Sequence, residues 1–219
     1  MPAIPNDYDA DPSRWASHDP GVQIYGDVHQ PVAARIIRED LTPVLDVGGG
    51  HGALAGILPS AGLAVVVDVS PVQLVRAPEP KIRADGAALP IRDGSAGAVA
   101  MLWMLYHLDE PVQAIREAQR ALRRGGLFVA STTSRANDPE LIDRYPPSAF
   151  DAEEAPEVVA SVFGDVSVER WDAPMTFLAD HAAVTRYCRS HFLPPDAAQR
   201  VTPPVWLTKR GCVVYAYKH

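Results

Sequence analysis

Residues 44–52 read VLDVGGGHG, and this stretch decides the fold. Its apolar start is typical of a buried parallel strand, and Pro43 just before it breaks any preceding helix. Glycine allows positive φ and removes the Cβ that would keep a ligand away from the backbone. Residues 53–58, ALAGIL, then have the composition of a helix, whose first N–H groups would face the turn. Strand, glycine turn and helix in this order predict a dinucleotide-type cofactor loop.

The glycine spacing fits two cofactor motifs. Gly48, Gly50 and Ala53 satisfy G-x-G-x-x-G/A, the fingerprint of nicotinamide and flavin enzymes. Read from Asp46, the same stretch satisfies D-x-G-x-G-x-G through Gly52, and here it resembles the first motif of the class I S-adenosylmethionine (SAM) dependent methyltransferases of the type 11 kind. A dinucleotide pyrophosphate prefers positive surroundings, whereas a cofactor with an ammonium and a sulfonium suits an acid at the end of the strand.

The composition bounds the class of protein. The 219 residues are 47% hydrophobic and 21% charged, which predicts one soluble globular domain. The net charge of -7 and the pI near 5.4 argue against a nucleic-acid partner. Two cysteines, Cys188 and Cys212, suggest a reducing compartment. With neither a basic, apolar leader nor an apolar run of about 20 residues, we expect a cytoplasmic protein that does not engage a membrane.

Two further segments follow the glycine loop at informative distances. Residues 63–67 form a β-branched run that ends in Asp68, about 20 residues past the loop, where an acid accepts hydrogen bonds from ribose hydroxyls in NAD and SAM enzymes alike. After a third strand at 81–84 comes DGAALP, residues 85–90. This segment is similar to the adenine-binding segment of the methyltransferase family, in which the acid accepts from the adenine amino group. It therefore favours SAM over NAD.

The remaining family motifs follow the fourth strand, expected at 98–103. Residues 105–108, LYHL, resemble the family's hHhL segment, and the helix from Pro111 ends in LRRGG, similar to LkpGG. The pair Ala96-Gly97 departs from the Phe-Asp that usually enters this strand. The resemblance implies a cofactor contact at each of these residues: Asp46, Gly48, Gly49, Gly50, Gly52, Asp68, Val69, Asp85, Gly86 and Met101.

The expected fold is α/β, a Rossmann-like doubly wound and mostly parallel sheet with an antiparallel C-terminal strand. Residues 1–219 would form a single class I methyltransferase domain. In it, residues 1–41 would be an N-terminal lid, 42–133 the SAM-binding core, and 134–219 the C-terminal strands with a substrate-shaping insert around 172–205. The closing antiparallel pair is expected at 166–171 and 212–217.

One residue is singled out for chemistry. A hydroxyl acceptor must lose its proton during methyl transfer, and a neutral imidazole is suited to take it near pH 7. His107 follows the end of a central strand, where ligands of α/β proteins bind, and His18 and His29 are rival bases. An equally open reading is that His107 only hydrogen-bonds the loop that holds the cofactor. Predicted substrate contacts are Tyr25, Trp103 and Tyr106.

No metal is expected. His181, Cys188 and His191 fall near one helical face, but no second cluster has ligand spacing, and paired carboxylates are missing from the strand ends. The sequence therefore predicts a metal-independent SAM-dependent methyltransferase of a small organic molecule, with oxygen slightly favoured over nitrogen or carbon as acceptor, acting as a monomer or homodimer. Two alternatives stay open: an NAD(P)-dependent oxidoreductase, and a protein of this fold that binds without methylating.

Overall fold

The computed structural model describes residues 21–59 and 64–219, which form one eight-stranded sheet in the order β1-β7-β8-β6-β5-β2-β3-β4. Five strands run parallel, and their bounds are β2 Val44–Val47, β3 Ala64–Asp68, β4 Lys81–Arg83, β5 Ala96–Leu102 and β6 Leu122–Thr133. Three strands pair antiparallel at the other side, namely β1 Val22–Ile24, β7 Val166–Leu178 and β8 Val205–Tyr217.

Helices cover both faces of this sheet, as expected for a doubly wound fold. Their bounds are α1 His29–Arg38, α2 Pro71–Leu74, α3 Pro111–Ala121, α4 Ala155–Phe163 and α5 His181–Ser190, with two short 3₁₀ helices at Leu105–His107 and Ala197–Arg200. Helix α1 packs on one face, and α3 and α4 pack on the other. The expected α/β fold is therefore confirmed, including the antiparallel C-terminal strands.

Each face has its own core. On the α1 face, Val32 and Ile36 are fully buried against alternate residues of β2, β5 and β6. On the opposite face, Ile115 of α3 and Phe163 of α4 pack against the other set, and the Phe163 ring stacks on Phe128 with centroids 5.0 Å apart. Burying a side chain of this size contributes about 1.5–3 kcal/mol. Side chains alternate between the two faces along each strand, so the same strands contribute to both cores.

Helix α1 corrects two expectations about the N-terminal segment. It belongs to the core, since Val32, Ala33 and Ile36 are buried, although the sequence places residues 1–41 in a lid. Residues 22–24, part of the expected lid, pair with Thr176–Leu178 as the edge strand of the sheet, because the long β7 leaves its backbone groups open there. A lid in this region is limited to residues that precede α1.

The segment after the glycine loop is not the predicted helix. Residues 51–58 form turns, held by Gly56 N–H to Gly52 O at 2.8 Å and by Leu58 N–H to Leu54 O at 3.3 Å. A central glycine and only six residues give too short a stretch for a regular helix. Leu54 and Leu58 are still buried in the core, so the apolar pattern predicts burial correctly but the wrong element type.

Helix α3 also differs from its predicted ends. Glu110 precedes its first residue, and the Glu110 side chain makes no capping hydrogen bond. The helix stops at Ala121, and Leu122 already pairs with Ala96, so the two arginines and two glycines expected at its C-terminus lie in β6. Strand pairing across the sheet has displaced the local helical preference here.

The C-terminal insert is smaller than expected. Strands β7 and β8 are 13 residues each, so only 179–204 connects them, and α5 lies in this connection. A buried carboxylate holds this connection against the rest of the domain. Asp138, fully buried, accepts hydrogen bonds from Tyr187 of α5 at 3.0 Å, from Tyr145 at 2.8 Å and from Lys209 Nζ of β8 at 2.8 Å. The loop after β6, the connection and β8 therefore form one unit.

Candidate functional site

The glycine loop lies at the point where the strand order reverses. From β2 the chain adds β3 and β4 on one side, and it then crosses to β5 and β6 on the other side. Ligands of open α/β sheets bind in the crevice outside the carboxyl ends of the strands at this point. Gly48, the first residue after β2, donates its N–H to Val67 O of β3 at 2.7 Å. The loop is thus anchored at the edge of the crevice.

Asp46 lies directly beneath this loop. Its side chain is only 2% exposed, and its Oδ2 accepts a hydrogen bond from Ala55 N at 3.3 Å. A Cβ at Gly49 would lie 2.5 Å from the Asp46 Cγ, so glycine is required there. Burial raises the pKa of Asp46 to about 6, the Ala55 hydrogen bond and the charge of His29 oppose this rise, and Asp68 adds to it.

The glycines of the loop differ in what surrounds them. Gly48 has φ +66° and its Cβ would lie 2.6 Å from Cβ of Met104, and Gly52 has φ +81° and its Cβ would lie 2.5 Å from Pro78 Cδ. Above Gly50, also at positive φ, the nearest atom to such a Cβ is Gln73 Oε1 at 3.6 Å. The loop is therefore tightly packed at its two ends and open in its middle, which is a cradle for a ligand.

Asp68 faces the same cradle from the end of β3. One carboxylate oxygen accepts from Gly50 N at 2.8 Å and the other from Ser70 N at 2.8 Å. Each oxygen retains a further lone pair, so the side chain can still accept from a ribose diol. Val69 beside it is 62% exposed and offers an apolar surface to a base.

The loop after β4 completes the crevice. Asp85 is exposed and accepts a hydrogen bond from Ala87 N at 2.8 Å, which shapes a tight turn. A Cβ at Gly86 would lie 3.1 Å from Val47 Cγ1 and 3.4 Å from Met104 Cε. The Met104 side chain thus lies between Gly48 and Gly86, a contact that sequence reasoning missed. Its position just before the 105–108 motif was the available signal.

Trp103 turns the chain at the end of β5. Its φ of +60° is a left-handed conformation that a bulky residue rarely adopts. Successive strand residues normally face opposite sides, yet Leu102 and Trp103 both pack in the α1-face core, and the Trp103 ring contacts Trp171 edge-on at 5.8 Å. Met101 is fully buried among the α3 and α4 residues, so its side chain has no surface for the predicted cofactor contact.

The candidate bases lie on two elements at this edge. His107 ends the 3₁₀ helix after β5, and its ring contacts that of Tyr106 at 4.4 Å. His29 opens α1, its Nδ1 and backbone N both contact Asp27 Oδ1, and its charge reaches Asp46. His18 lies outside the described residues. Tyr25 is half exposed, and its ring contacts Trp206 of β8 at 5.0 Å, on the antiparallel side of the sheet.

Two negative findings apply to the described ranges. Among residues 21–59 and 64–219, no three His, Cys, Asp or Glu side chains gather in a way that could hold a metal ion. His181, Cys188 and His191 lie on or beside α5, where Cys188 is buried and the His191 ring stacks on Tyr187 at 3.9 Å. Within the same ranges, none of the helices has the length and apolar character that crossing a bilayer requires.

Comparisons with known proteins agree with this geometry. The methyltransferase domain family matches residues 45–130. A Mycobacterium tuberculosis protein named a probable S-adenosylmethionine-dependent methyltransferase is 32% identical over 114 residues, covering 49% of this chain and 40% of its own. The chain spans from two fifths to about half of the length of the curated relatives it matches.

Solved structures share the fold at low sequence identity. A SAM-dependent methyltransferase from Aquifex aeolicus aligns with a TM-score of 0.52 at 14% identity, over 85% of this chain and 89% of its own. The [4+2]-cyclase SpnF aligns with a TM-score of 0.63 at 15% identity, over 97% and 94%. Residues 45–130 thus match a methyltransferase domain, the chain shares the fold of these solved structures, and SAM is the cofactor that the named relatives imply.

The residues present fit that cofactor. The open cradle at Gly50, the diol acceptor Asp68 and the apolar Val69 suit an adenosyl group, and the buried anion Asp46 suits a cation above the loop. SAM supplies a methyl group on a sulfonium, which is a good leaving group. A protein that catalyses this transfer must add alignment of an acceptor, exclusion of water and, for a hydroxyl acceptor, removal of a proton.

Proposed function

We propose that this chain transfers the methyl group of SAM to a small organic molecule, without a metal and with a hydroxyl oxygen slightly favoured as acceptor. One observation carries the proposal most directly: the buried Asp46 beneath an open glycine cradle at the topological switch point. With a pKa of about 6, Asp46 is mostly ionised at neutral pH. Its negative charge favours a cofactor with ammonium and sulfonium groups and disfavours the pyrophosphate of NAD(P).

Calorimetry with S-adenosylhomocysteine, SAM and NAD tests this choice of cofactor. Asp68→Ala should weaken S-adenosylhomocysteine binding by about 1.5–3 kcal/mol, the scale of hydrogen bonds to a charged acceptor. The Asp68 carboxylate also accepts from Gly50 N, so Asp68→Asn is the matched variant that keeps the shape and one acceptor oxygen. It should lose less affinity than Asp68→Ala. Heat from NAD alone would favour the oxidoreductase.

His107 is the proposed proton acceptor. His29 is the alternative proton acceptor, and its contacts support that role. Asp27 holds the Nδ1 of His29, which leaves Nε2 as the basic nitrogen when the ring is neutral. His107 lies beside Tyr106, and Trp103 and Tyr106 are proposed to line the acceptor pocket, with Tyr25 as a third contact. A base on either residue would take the proton as the acceptor oxygen attacks the methyl carbon.

His107→Gln and His29→Gln form a matched pair for that assignment. We expect His107→Gln to lower turnover by about 10²–10⁴-fold while S-adenosylhomocysteine affinity is unchanged, the usual scale of general-base catalysis. Turnover is measured as SAM consumption with an extracted metabolite pool at several pH values. If His29→Gln alone removes the rise of rate with pH, the role passes to His29.

The expected partners are a small-molecule substrate and, at most, a second copy of the chain. The proposal includes no nucleic acid, no membrane and a cytoplasmic location, and it draws support from the net charge of -7. Light scattering separates monomer from homodimer. One structural neighbour, SpnF, is named a cyclase and not a methyltransferase. This likeness supports one alternative, that the chain binds SAM without transferring its methyl group. No SAM consumption in the presence of tight S-adenosylhomocysteine binding would favour that alternative.

A further inference from the structure

A shallow cavity lies at the C-terminal edge of the sheet, beyond the end of β6. Ser134, Arg170, Asp172 and Arg210 line it. Arg210 of β8 lies opposite Asp172 of β7, and one pair nearer the sheet centre Gly211 lies opposite Thr133, the last residue of β6. The cavity is thus on the same edge as the glycine loop. Strand β8 is three strand spacings from β2, or about 14 Å.

The two arginines of this cavity differ in how their charges are balanced. Arg210 Nε lies 3.0 Å from Asp172 Oδ1, and its Nη1 donates to Ala136 O at 3.0 Å. Arg170 donates from Nη1 to Ala152 O at 2.9 Å, and in the described part of the chain it forms no ion pair with a carboxylate. Its guanidinium at the cavity wall is therefore held by a carbonyl oxygen and not by a carboxylate.

The acidic residues next to the cavity, Glu153 and Glu154, pair with a different cation, Arg135. Glu153 accepts from Ser134 Oγ at 2.7 Å and lies 3.9 Å from Arg135 Nε. Glu154 pairs with the Arg135 Nη2 at 2.6 Å. The Asp172 side chain remains 64% exposed, so this carboxylate can exchange the buried Arg210 Nε for solvent at low cost. An incoming anion would compete with one exposed carboxylate and face two guanidinium groups.

We propose that this cavity is an anion subsite that binds a carboxylate or phosphate group of the methyl acceptor. Planar guanidinium groups match the oxygens of either anion, and the spacing from the glycine loop lets one small molecule reach both. The claim that the anion is part of the methyl acceptor rests on the proposed function. The claim that the cavity binds an anion is independent of the proposed function.

Anion binding is tested on the full chain by NMR titration with inorganic phosphate and, separately, with acetate at constant ionic strength. Saturable shifts at the Ser134 and Gly211 amides are expected, and the anion that saturates at lower concentration distinguishes phosphate from carboxylate. Arg170→Gln should weaken binding about ten-fold. Asp172→Asn should tighten it, because the competing carboxylate is removed.

Arg92→Gln is the matched control, since Arg92 is exposed in the turn before β5, at the opposite edge of the sheet. Linear shifts without saturation, or equal weakening by Arg170→Gln and Arg92→Gln, would overturn the proposal. S-adenosylhomocysteine calorimetry on Arg170→Gln separates the two claims. Unchanged affinity there with no anion binding in the wild type would refute the subsite and leave the proposed function intact.

The link to the acceptor has its own readout. When the protein is incubated with methyl-labelled SAM and a metabolite pool, the labelled product should be retained on an anion-exchange column at neutral pH. Label found only in the unretained fraction would overturn the assignment of the anion to the acceptor. If label is absent although S-adenosylhomocysteine binds, the proposed function fails, and the NMR titration still decides the anion subsite.

Discussion

Asp46 carries a negative charge in a place where burial works against it. The ordinary carboxyl pKa of 3.8 is raised to about 6 in the folded chain. Between these values the folded state holds more protons than the unfolded state, so the free energy of unfolding falls as pH rises through this window. Stability is thus lost where Asp46 becomes charged, and the same charge favours a cationic cofactor.

Asp46→Asn should therefore stabilise the ligand-free protein above about pH 6, by up to about 3 kcal/mol, since one pKa unit corresponds to about 1.4 kcal/mol. The gain should vanish near pH 4, where wild-type Asp46 is protonated. Urea unfolding at both pH values measures it. Asp85→Asn makes the same chemical change at an exposed position and is the control. A stabilisation that is equal at the two pH values would contradict the assigned pKa.

At the scale of elements, the start of β5 depends on a residue without a side chain. A Cβ at Gly97 would lie 2.6 Å from Thr42 O and 2.6 Å from the Leu41 carbonyl carbon. Both are backbone atoms of the segment that leads into β2, and the Gly97 N–H donates to Pro43 O at 2.8 Å. This contact requires a glycine at position 97, the position where the family resemblance would have Asp.

Gly97→Ala should lower the free energy of unfolding by about 2–3 kcal/mol, because the backbone cannot move aside without breaking the β2 and β5 pairing. Gly94→Ala is the matched control. Unlike Gly97, Gly94 has positive φ, +65°, but a Cβ there meets nothing within 4 Å, so only the conformational cost of about 1 kcal/mol applies. Equal losses for the two variants in chemical denaturation would contradict the steric explanation.

At the scale of the whole molecule, the sheet combines a buried centre with a short outer edge. Strand β6 has neighbours on both sides, whereas Val22–Ile24 pair only with β7 through three residues. Amides of 22–24 should therefore exchange with solvent hydrogen much faster than those of β6. The predicted lid of residues 1–41 is testable in its described part before α1.

Binding of S-adenosylhomocysteine should slow amide exchange at residues 25–29, which connect the edge strand to His29, and leave β6 unchanged. Hydrogen exchange with mass spectrometry measures both states. Equal and strong protection of 25–29 with and without ligand would show a fixed element and reject the lid. Slower exchange across the whole chain would instead indicate only global stabilisation by the ligand.

The sequence by itself determined the cofactor loop and its strands. The stretch 44–52, the acid Asp68 and the turn at Asp85 are local patterns, in which the residue types needed for a buried strand or a glycine turn stand next to each other. A local pattern specifies local structure, so these elements could be predicted. The local pattern predicts the wrong ends for α3 and a helix where residues 51–58 form turns. Strand pairing and packing override helix preference at the ends of elements.

Only the tertiary structure decided which distant residues meet. The left-handed Trp103 turns onto the α1 face against Trp171, Met104 lies between two glycines, and Arg210 meets Asp172. These contacts join segments far apart in the chain, so no spacing within one segment reports them. The edge strand at 22–24 could not be predicted for the same reason. It pairs because β7 has unpaired backbone groups there, and the composition of residues 22–24 does not indicate this pairing.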